Sequence, residues 1–140
     1  MERQSELIIY TTEDGMTKVD VTFDQDTVWL TQDQMAELFQ KAKSTINEHI
    51  RNIYEQGELV ESSTMRKFGI SEFSTKPTNF YNLDVVISVG YRVKSQRGVQ
   101  FRIWASEIIK EYMKKNFEQW DRLYLVTLIL QNVKRNVKLL

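Results

Sequence analysis

The sequence predicts an α+β protein with an N-terminal β-hairpin, a winged helix-turn-helix-like centre and C-terminal amphipathic helices. Three observations predict this class. Residues 6–30 alternate apolar and polar side chains around Asp14-Gly15, a dipeptide typical of tight hairpins. Residues 31–57 then have the apolar spacing of two short helices, and residues 60–82 return to a strand-like composition. Longer helical patterns fill the last third of the chain.

The composition is that of a folded protein and excludes several kinds of site. The chain has 140 residues, 41% hydrophobic and 27% charged, which fits one domain or a domain with a helical extension. It has no cysteine and one histidine, so disulfides and cysteine nucleophiles are excluded and zinc lacks its usual ligands. We find no secretory signal and no apolar run near the ~20 residues that span a bilayer. These features predict a soluble cytoplasmic protein without a membrane partner, associated with the nucleoid if it binds DNA.

The net charge of zero conceals a strong asymmetry along the chain. Residues 1–37 carry two basic and nine acidic side chains, whereas residues 38–140 carry 17 basic and 10 acidic ones. The most basic stretch lies between residues 92 and 115. An asymmetry of this kind indicates an anionic partner, although charged runs are also common on solvated faces.

The N-terminal part is predicted to be a small sheet. Strands are expected over residues 6–12 and 17–23, and a short third strand over residues 27–30. In the second strand Val19, Val21 and Phe23 alternate with polar residues, which indicates one buried face.

The next segment has the pattern of two helices joined by a tight turn. Thr31 is a good N-cap for the first helix, and Gln34 completes a capping box. After a polar break at residues 40–44, a second helix is expected to begin at Ser44 or Thr45, with Glu48 reaching back to cap it. Its apolar stripe is Ile46, Ile50 and Ile53, and Gly57 falls where a helix end requires a left-handed residue. This arrangement is typical of a helix-turn-helix.

Residues 60–82 are predicted to form a β-ribbon, with strands at 64–68 and 78–81, in the position of a wing. Residues 84–93 fit either a strand or a helix capped by Asn82, and periodicity does not decide between them. An amphipathic helix follows from about Val99 to Lys115, preceded by Gly98 and capped by Asn116.

The C-terminal segment, residues 117–140, has an apolar heptad stripe and is predicted to be a separate helix, with residues 1–116 forming the main domain. A stripe of this length favours a homodimer slightly over a helix folded back onto the domain. The stripe consists of Leu123, Val126, Leu130, Val133, Val137 and Leu140.

Several separated motifs occur in an order that resembles the RhuM virulence-protein family of bacteria. They are residues 28–39, Ile46 with His49-Ile50-Arg51-Asn52-Ile53, Gly57-Glu58-Leu59, Tyr81-Asn82-Leu83-Asp84, residues 89–93 and Phe101-Arg102-Ile103-Trp104-Ala105. The last block also resembles the N-terminal domain of phage BRO-type antirepressors. The resemblance covers roughly residues 6–117 and implies a DNA-binding module without established catalytic activity. Asn116 stands where the family usually has glycine, and the last 20 or so residues do not share the resemblance.

The outward face of the second helix is the predicted reading surface for duplex DNA. Asn47 could pair with adenine, and Arg51 or Lys43 could reach guanine or a phosphate. Arg92 and Arg102 could bind phosphates or form salt bridges with Asp84, Glu107 or the acidic sheet. The predicted DNA-binding set is Thr31 and Gln32 at the first helix, Lys43, Ser44, Thr45, Asn47 and Arg51 on the second, Arg66, Lys67 and Lys76 on the ribbon, and Arg92, Lys94, Arg97 and Arg102 beyond it.

The residues suggest no catalytic constellation, so we predict a protein that is not an enzyme and uses no metal, cofactor or small-molecule substrate. Other residues have structural interpretations: Glu48 as a cap, His49 as a packed or edge side chain, and Trp29, Trp104 and Trp120 as core anchors. The predicted function is that of a DNA-binding transcriptional regulator. The alternative is a protein-interaction module of antirepressor or effector-adaptor type, in which the same helix meets another protein.

Overall fold

The computed structural model describes residues 5–68, 78–119 and 130–132. The chain divides into two compact units, Met1–Ser106 and Glu107–Leu140. The predicted α+β class is confirmed, because the first unit combines an antiparallel sheet with several helices.

The sheet has five strands in the order β1-β2-β3-β5-β4, and each pair of neighbours is antiparallel. The strands are β1 (Glu6–Thr11), β2 (Lys18–Asp24), β3 (Thr27–Leu30), β4 (Met65–Phe68) and β5 (Thr78–Asn82). All five strands lie where the sequence pattern predicts strands. The N-terminal hairpin is therefore confirmed.

Two different turns connect the first three strands. Between β1 and β2, Gly15 adopts a positive φ of 72°, as the Asp-Gly pair predicts. Between β2 and β3, Gln25 and Asp26 both have positive φ, 52° and 69°, which is the backbone of a two-residue type I′ turn. This second turn has no glycine, so composition does not reveal it.

The ribbon of β4 and β5 is part of the same sheet and not a separate element. Trp29 of β3 pairs with Asn82 of β5, and Leu30 pairs with Tyr81, while β4 lies on the outer side of β5. Residues 61–64, placed in the ribbon region by the sequence, form a short helix instead. Its Thr64 hydroxyl donates to the carbonyl of Val60 at 2.7 Å.

The helices are α1 (Gln32–Phe39), α2 (Lys43–Glu55), α3 (Glu61–Thr64), α4 (Leu83–Arg92) and α5 (Gln96–Gln119). Residues 84–93, which the sequence left open, are helical through Arg92, and the Asn82 side chain caps α4 by accepting from the backbone N–H of Val85 at 3.3 Å.

The sequence predicted both ends of α5 wrongly. The helix starts at Gln96 because the Ser95 hydroxyl accepts from the Arg97 N–H at 3.2 Å, so Gly98 lies inside it. At the other end the helix runs through Asn116, which does not cap it.

The core of the first unit lies between one face of the sheet and the helices. Tyr10 meets the ring of Phe101 edge-on, with centroids 5.2 Å apart, and the ring of Trp104 at 4.9 Å. Trp29 is buried, and its indole N–H donates to the Asp24 carbonyl at 2.9 Å. Both tryptophans thus pack as structural anchors, whereas Trp120 lies outside the described residues. Each large apolar side chain buried here contributes roughly 1.5–3 kcal/mol.

The second unit is described only in part. Its residues 107–119 continue α5, and residues 130–132 are helical. Of the predicted heptad stripe only Leu130 is described, with 53% of its surface exposed. The other five stripe residues lie outside the described part, so the homodimer stays a prediction. Within the described part of the chain, no helix combines the length and apolarity needed to cross a bilayer.

Candidate nucleic-acid interface

A tight turn joins α1 and α2 and sets their relative position. The Thr31 hydroxyl accepts from the N–H of Gln34 at 3.1 Å, and the Gln34 side chain accepts from the Thr31 N–H at 2.9 Å, so the predicted capping box is confirmed. At the other end of α1, Gln40 adopts a left-handed φ of 55°. The chain therefore turns sharply there, and α2 begins at Lys43.

The predicted cap of α2 is wrong. The helix begins before Ser44, and its N-cap is Ala42, which makes no side-chain capping bond. Ser44 and Thr45 thus lie in the first turn, and Glu48 is exposed without the reciprocal bond expected of a capping box. Because an alanine cannot accept a hydrogen bond from its side chain, the first N–H groups of α2 lack a protein cap at this position.

The two faces of α2 differ as the sequence predicts. Ile46 and Ile53 are completely buried and Ile50 is 3% exposed. His49 is half-buried beside this stripe. The opposite face carries the exposed side chains of Lys43, Ser44, Asn47, Glu48 and Arg51, and the half-buried Thr45.

The C-terminal end of α2 is closed by backbone geometry. Gly57 has a φ of 73°, and its N–H donates to the carbonyl of Tyr54 at 3.1 Å. The N–H of Glu58 donates to the carbonyl of Ile53 at 3.0 Å, which completes a Schellman motif. The predicted left-handed residue at Gly57 is confirmed.

A side-chain network connects α1, α2 and the sheet. The amide nitrogen of Gln32 donates to Asn47 Oδ1 at 3.0 Å and to the hydroxyl of Tyr81 at 3.3 Å. The Asn47 amide group keeps its own donors and one further lone pair for an external ligand. Tyr81 is buried on β5, 49 positions from Gln32 in the chain, and the sequence held no signal of this contact.

A small polar cleft of about 190 Å³ lies where the first residues of α1, α2 and β5 meet. Lys43 Nζ lies 3.2 Å from Asp33 Oδ1, and both side chains are well exposed. A surface pair of this kind contributes at most about 1 kcal/mol and is easily exchanged for another anion. Its lining residues are Thr31, Gln32, Asp33, Lys43, Thr78 and Asn79.

The ribbon cations differ in availability. The Arg66 guanidinium lies 3.7 Å from an Asp24 carboxylate oxygen, hydrogen-bonds to Gln25 and covers the Trp29 ring at 5.2 Å from its centroid. Lys67 is exposed. Lys76 lies outside the described residues, so the predicted charge of the wing is represented here by Arg66 and Lys67.

Two of the four remaining predicted cations take part in internal ion pairs. Arg92 lies 3.4 Å from Glu58 and donates to Gln56 at 2.9 Å. Arg97 lies 3.6 Å from Asp14 on the acidic hairpin and donates to the carbonyl of Leu38 at 3.2 Å. The predicted alternative of salt bridges thus applies to Arg92, though with Glu58 as the partner.

Lys94 and Arg102, in contrast, are exposed and form no ion pair with the described residues.

The surroundings of Asp14, Tyr10 and Tyr54 shift the pKa values of these groups. A hydrogen bond from the Thr12 hydroxyl, at 2.6 Å, and one from the Met16 N–H lower the pKa of Asp14. Burial raises the pKa of Tyr10 and that of Tyr54, whose hydroxyl lies 3.0 Å from the Thr64 hydroxyl. Among the described residues, no three His, Asp or Glu side chains gather as ligands for a metal ion.

Comparison with known proteins gives one family match. Residues 59–126 match the model described as the virulence protein RhuM family. The matched segment contains three of the motifs that carried the resemblance, at residues 81–84, 89–93 and 101–105. It begins after the end of α2 and covers the ribbon, α4 and α5. Among curated proteins and among solved structures, none matches the chain.

Proposed function

We propose that this chain, which belongs to the virulence protein RhuM family over residues 59–126, binds duplex DNA as a transcriptional regulator. In this proposal α1 and α2 act as a helix-turn-helix, and β4 and β5 act as its wing. The family match does not include the helix pair, so the support for a reading head comes from the geometry of α1 and α2. The observation that carries the proposal is that α2 buries its apolar stripe and exposes a row of hydrogen-bond donors.

The spacing of the donors on α2 supports this proposal. The N-terminal residues of a recognition helix contact base edges, and Lys43, Asn47 and Arg51 follow each other at a spacing of four residues, on one side of α2. Asn47 can pair with the N6 and N7 edge of adenine, and Arg51 with guanine or a phosphate. Gln32 holds Asn47 in place through the 3.0 Å hydrogen bond, which reduces the entropy lost on binding.

The polar cleft at the start of α1 and α2 suits a backbone phosphate. Helix N-termini attract anions, and Thr31, Gln32 and Lys43 supply further donors there. A phosphate would take the place of Asp33 beside Lys43. On the wing, Lys67 is the exposed cation available to the DNA backbone, while Arg66 is held by Asp24 and Trp29.

A homodimer through the C-terminal segment, as the heptad stripe predicts, would place two such helix pairs about a two-fold axis. The recognised site would then be a palindrome with half-sites one or two turns of DNA apart.

The proposal is tested by titrating a fluorescently labelled pool of random DNA duplexes with the protein and measuring fluorescence anisotropy at several salt concentrations. We expect wild-type affinity to fall steeply as salt rises, because each phosphate contact releases counterions. The double variant Lys43→Ala/Arg51→Ala should bind the pool more weakly, and on a duplex selected from the pool for tight binding it should lose roughly 2–6 kcal/mol of binding free energy if both residues contact bases.

A matched control makes the same change of net charge on the sheet. Lys18→Glu, at an exposed position of β2, also lowers the net charge by two and should retain most of the affinity. If the wild type does not bind at low salt, or if this control loses as much affinity as the double variant, α2 is not a reading head for DNA.

A further inference from the structure

A second candidate surface lies between α4 and α5, within the first unit. It is an open groove of about 530 Å³ whose main lining residues are Ile87, Tyr91, Lys94, Val99 and Arg102, with Gly90 and Gly98 between them. None of these residues contributes to the polar cleft or to the outward face of α2.

Large apolar side chains that line the groove are exposed to solvent. Tyr91 is 85% exposed and Val99 50%, and both line the groove. Exposed apolar side chains that line one groove are typical of interaction sites in soluble proteins. The groove therefore resembles a surface that a partner covers.

The spacing of the lining residues indicates the shape of that partner. Ile87 and Tyr91 are four residues apart on α4, and Val99 and Arg102 are three apart on α5, while Lys94 follows the end of α4 with a left-handed φ of 53°. Such rows are the ridges of a helix surface, and the space between two ridges accepts the side chains of a third helix. An amphipathic helix in a groove is a common mode of peptide recognition.

A glycine pair keeps the groove in its present form. A Cβ atom added to Gly90 would lie 3.3 Å from Gly98 Cα and 3.1 Å from Cε1 of Phe39. The backbones of α4 and α5 thus approach each other in a way that larger residues would prevent. The groove exists before a partner arrives, so little ordering is needed on binding.

The positive charge of the groove favours an acidic partner. Lys94 and Arg102 line it, neither forms an ion pair with the described residues, and no carboxylate is among its lining residues. The chain's own residues 120–140 contain four basic residues and one acidic residue, so they do not supply an acidic stretch.

The location separates the groove from the face of α2 proposed to read DNA. Arg92, in the last turn of α4, binds Gln56 and Glu58, just beyond the C-terminal end of α2. Of the residues proposed to contact DNA, Lys43 and Asn47 lie in the N-terminal half of this 13-residue helix, which is about 20 Å long, and Arg51 lies one turn beyond Asn47. A phosphate backbone would also leave the apolar side chains of the groove without a partner.

We propose that the α4–α5 groove binds an acidic amphipathic helix from another protein. The apolar stripe of that helix lies against Ile87, Tyr91 and Val99, and its carboxylates pair with Lys94 and Arg102. This inference does not depend on DNA binding and adds a second partner on a different face.

Three synthetic peptides of about 18 residues, each fixed as a helix by side-chain staples, test it by fluorescence anisotropy with the full chain. The first has leucine at positions spaced three and four apart and glutamate on the flanks of that stripe. The second replaces glutamate by lysine, and the third replaces leucine by serine. We expect the first peptide to bind and the other two to bind at least tenfold more weakly.

Variants of the protein assign the binding to the groove. Lys94→Glu/Arg102→Glu should weaken the acidic peptide at least tenfold and strengthen the lysine peptide, a reversal that misfolding cannot produce. Lys18→Glu/Lys115→Glu, on exposed cations outside the groove, should leave the acidic peptide unchanged. Lys43→Ala/Arg51→Ala should also leave it unchanged, so this result and that for DNA are independent.

The proposal is overturned if the acidic peptide does not bind, if the serine peptide binds equally, or if the groove variant binds the acidic peptide as the wild type does. It is also overturned if Lys94→Glu/Arg102→Glu abolishes DNA binding without changing the preference between peptides, because the groove cations would then belong to a DNA-binding face.

Discussion

The outward face of α2 and the α4–α5 groove lie in the same unit but use their amphipathic helices differently. In α2 the stripe of Ile46, Ile50 and Ile53 is buried in full, and only polar side chains remain outside. In α4, Val89 is buried in the core but Tyr91 is exposed, and in α5, Phe101 is buried but Val99 is exposed. Helices whose apolar surface exceeds what the core can cover present a hydrophobic surface to a partner, whereas a fully used stripe leaves a polar one.

The charges of the two surfaces differ as well. On α2, Lys43 is paired with Asp33, and Glu48 is exposed among the donors. In the groove, the lining residues include no carboxylate, and Lys94 and Arg102 form no ion pair with the residues that the structure describes. The face of α2 therefore presents hydrogen-bond donors with part of its charge paired in the free protein, while the groove combines apolar contact with cations that no lining carboxylate pairs.

The largest effect we expect comes from the buried side of α2. Ile46→Ala removes a side chain with no exposed surface and leaves a cavity, so the free energy of unfolding should fall by about 2–5 kcal/mol. Urea denaturation measures this. Ser44→Ala, two residues earlier on the exposed face, should change it by less than about 0.5 kcal/mol. Similar values for the two variants would contradict the assignment of faces on α2.

A smaller loss is expected at the floor of the groove. Gly90→Ala gains helix propensity but places a methyl group 3.1 Å from the Phe39 ring and 3.3 Å from the backbone of Gly98, so we expect a net destabilisation of about 1–2 kcal/mol in thermal and urea unfolding. In a double-mutant cycle, Phe39→Leu should relieve part of this cost, because the crowded ring atoms are removed. A stabilised Gly90→Ala variant would show that α4 and α5 can move apart freely.

The smallest effect concerns the charge on the α2 surface. Asp33→Asn removes the carboxylate 3.2 Å from Lys43 Nζ, so DNA affinity should rise a few-fold and the dependence on salt should become steeper by about one counterion. Anisotropy titrations at several salt concentrations measure both. Asp20→Asn, an equal change of charge on the exposed face of β2, should have less effect. Equal effects would mean that Lys43 contacts no phosphate.

Local signals in the sequence predicted much of the fold. The hairpin at Gly15, the capping box of Thr31, the buried stripe from Ile46 to Ile53 and the left-handed Gly57 each depend on residues close in the chain, so their geometry follows from spacing and residue type. The strands of the ribbon followed in the same way.

The features that the sequence did not predict are of two kinds. Some depend on contacts between residues far apart in the chain, and others on small energy differences between alternative start and end positions of a helix. Arg97 pairs with Asp14, and Gln32 hydrogen-bonds to Tyr81. Because the partners are far apart in the chain, no spacing pattern in the sequence indicates either contact. The start of α2 was misplaced because Ser44 and Thr45 are good caps, yet the turn at Gln40 lets the helix begin sooner. The close approach of Gly90 and Gly98 could not be predicted either, because it depends on how α4 and α5 pack against each other.

The pairing of β3 with β5 has a consequence for the order of folding. The hairpins β1–β2 and β2–β3 close short loops, while Leu30 meets Tyr81 only after the chain has passed through α1, α2, α3 and β4. Closing a long loop costs more chain entropy, and folding rates fall as such contacts increase. We expect the pairing of β3 with β5 to limit the rate at which the first unit folds. Mutations at this contact should therefore slow refolding more than mutations in the first hairpin.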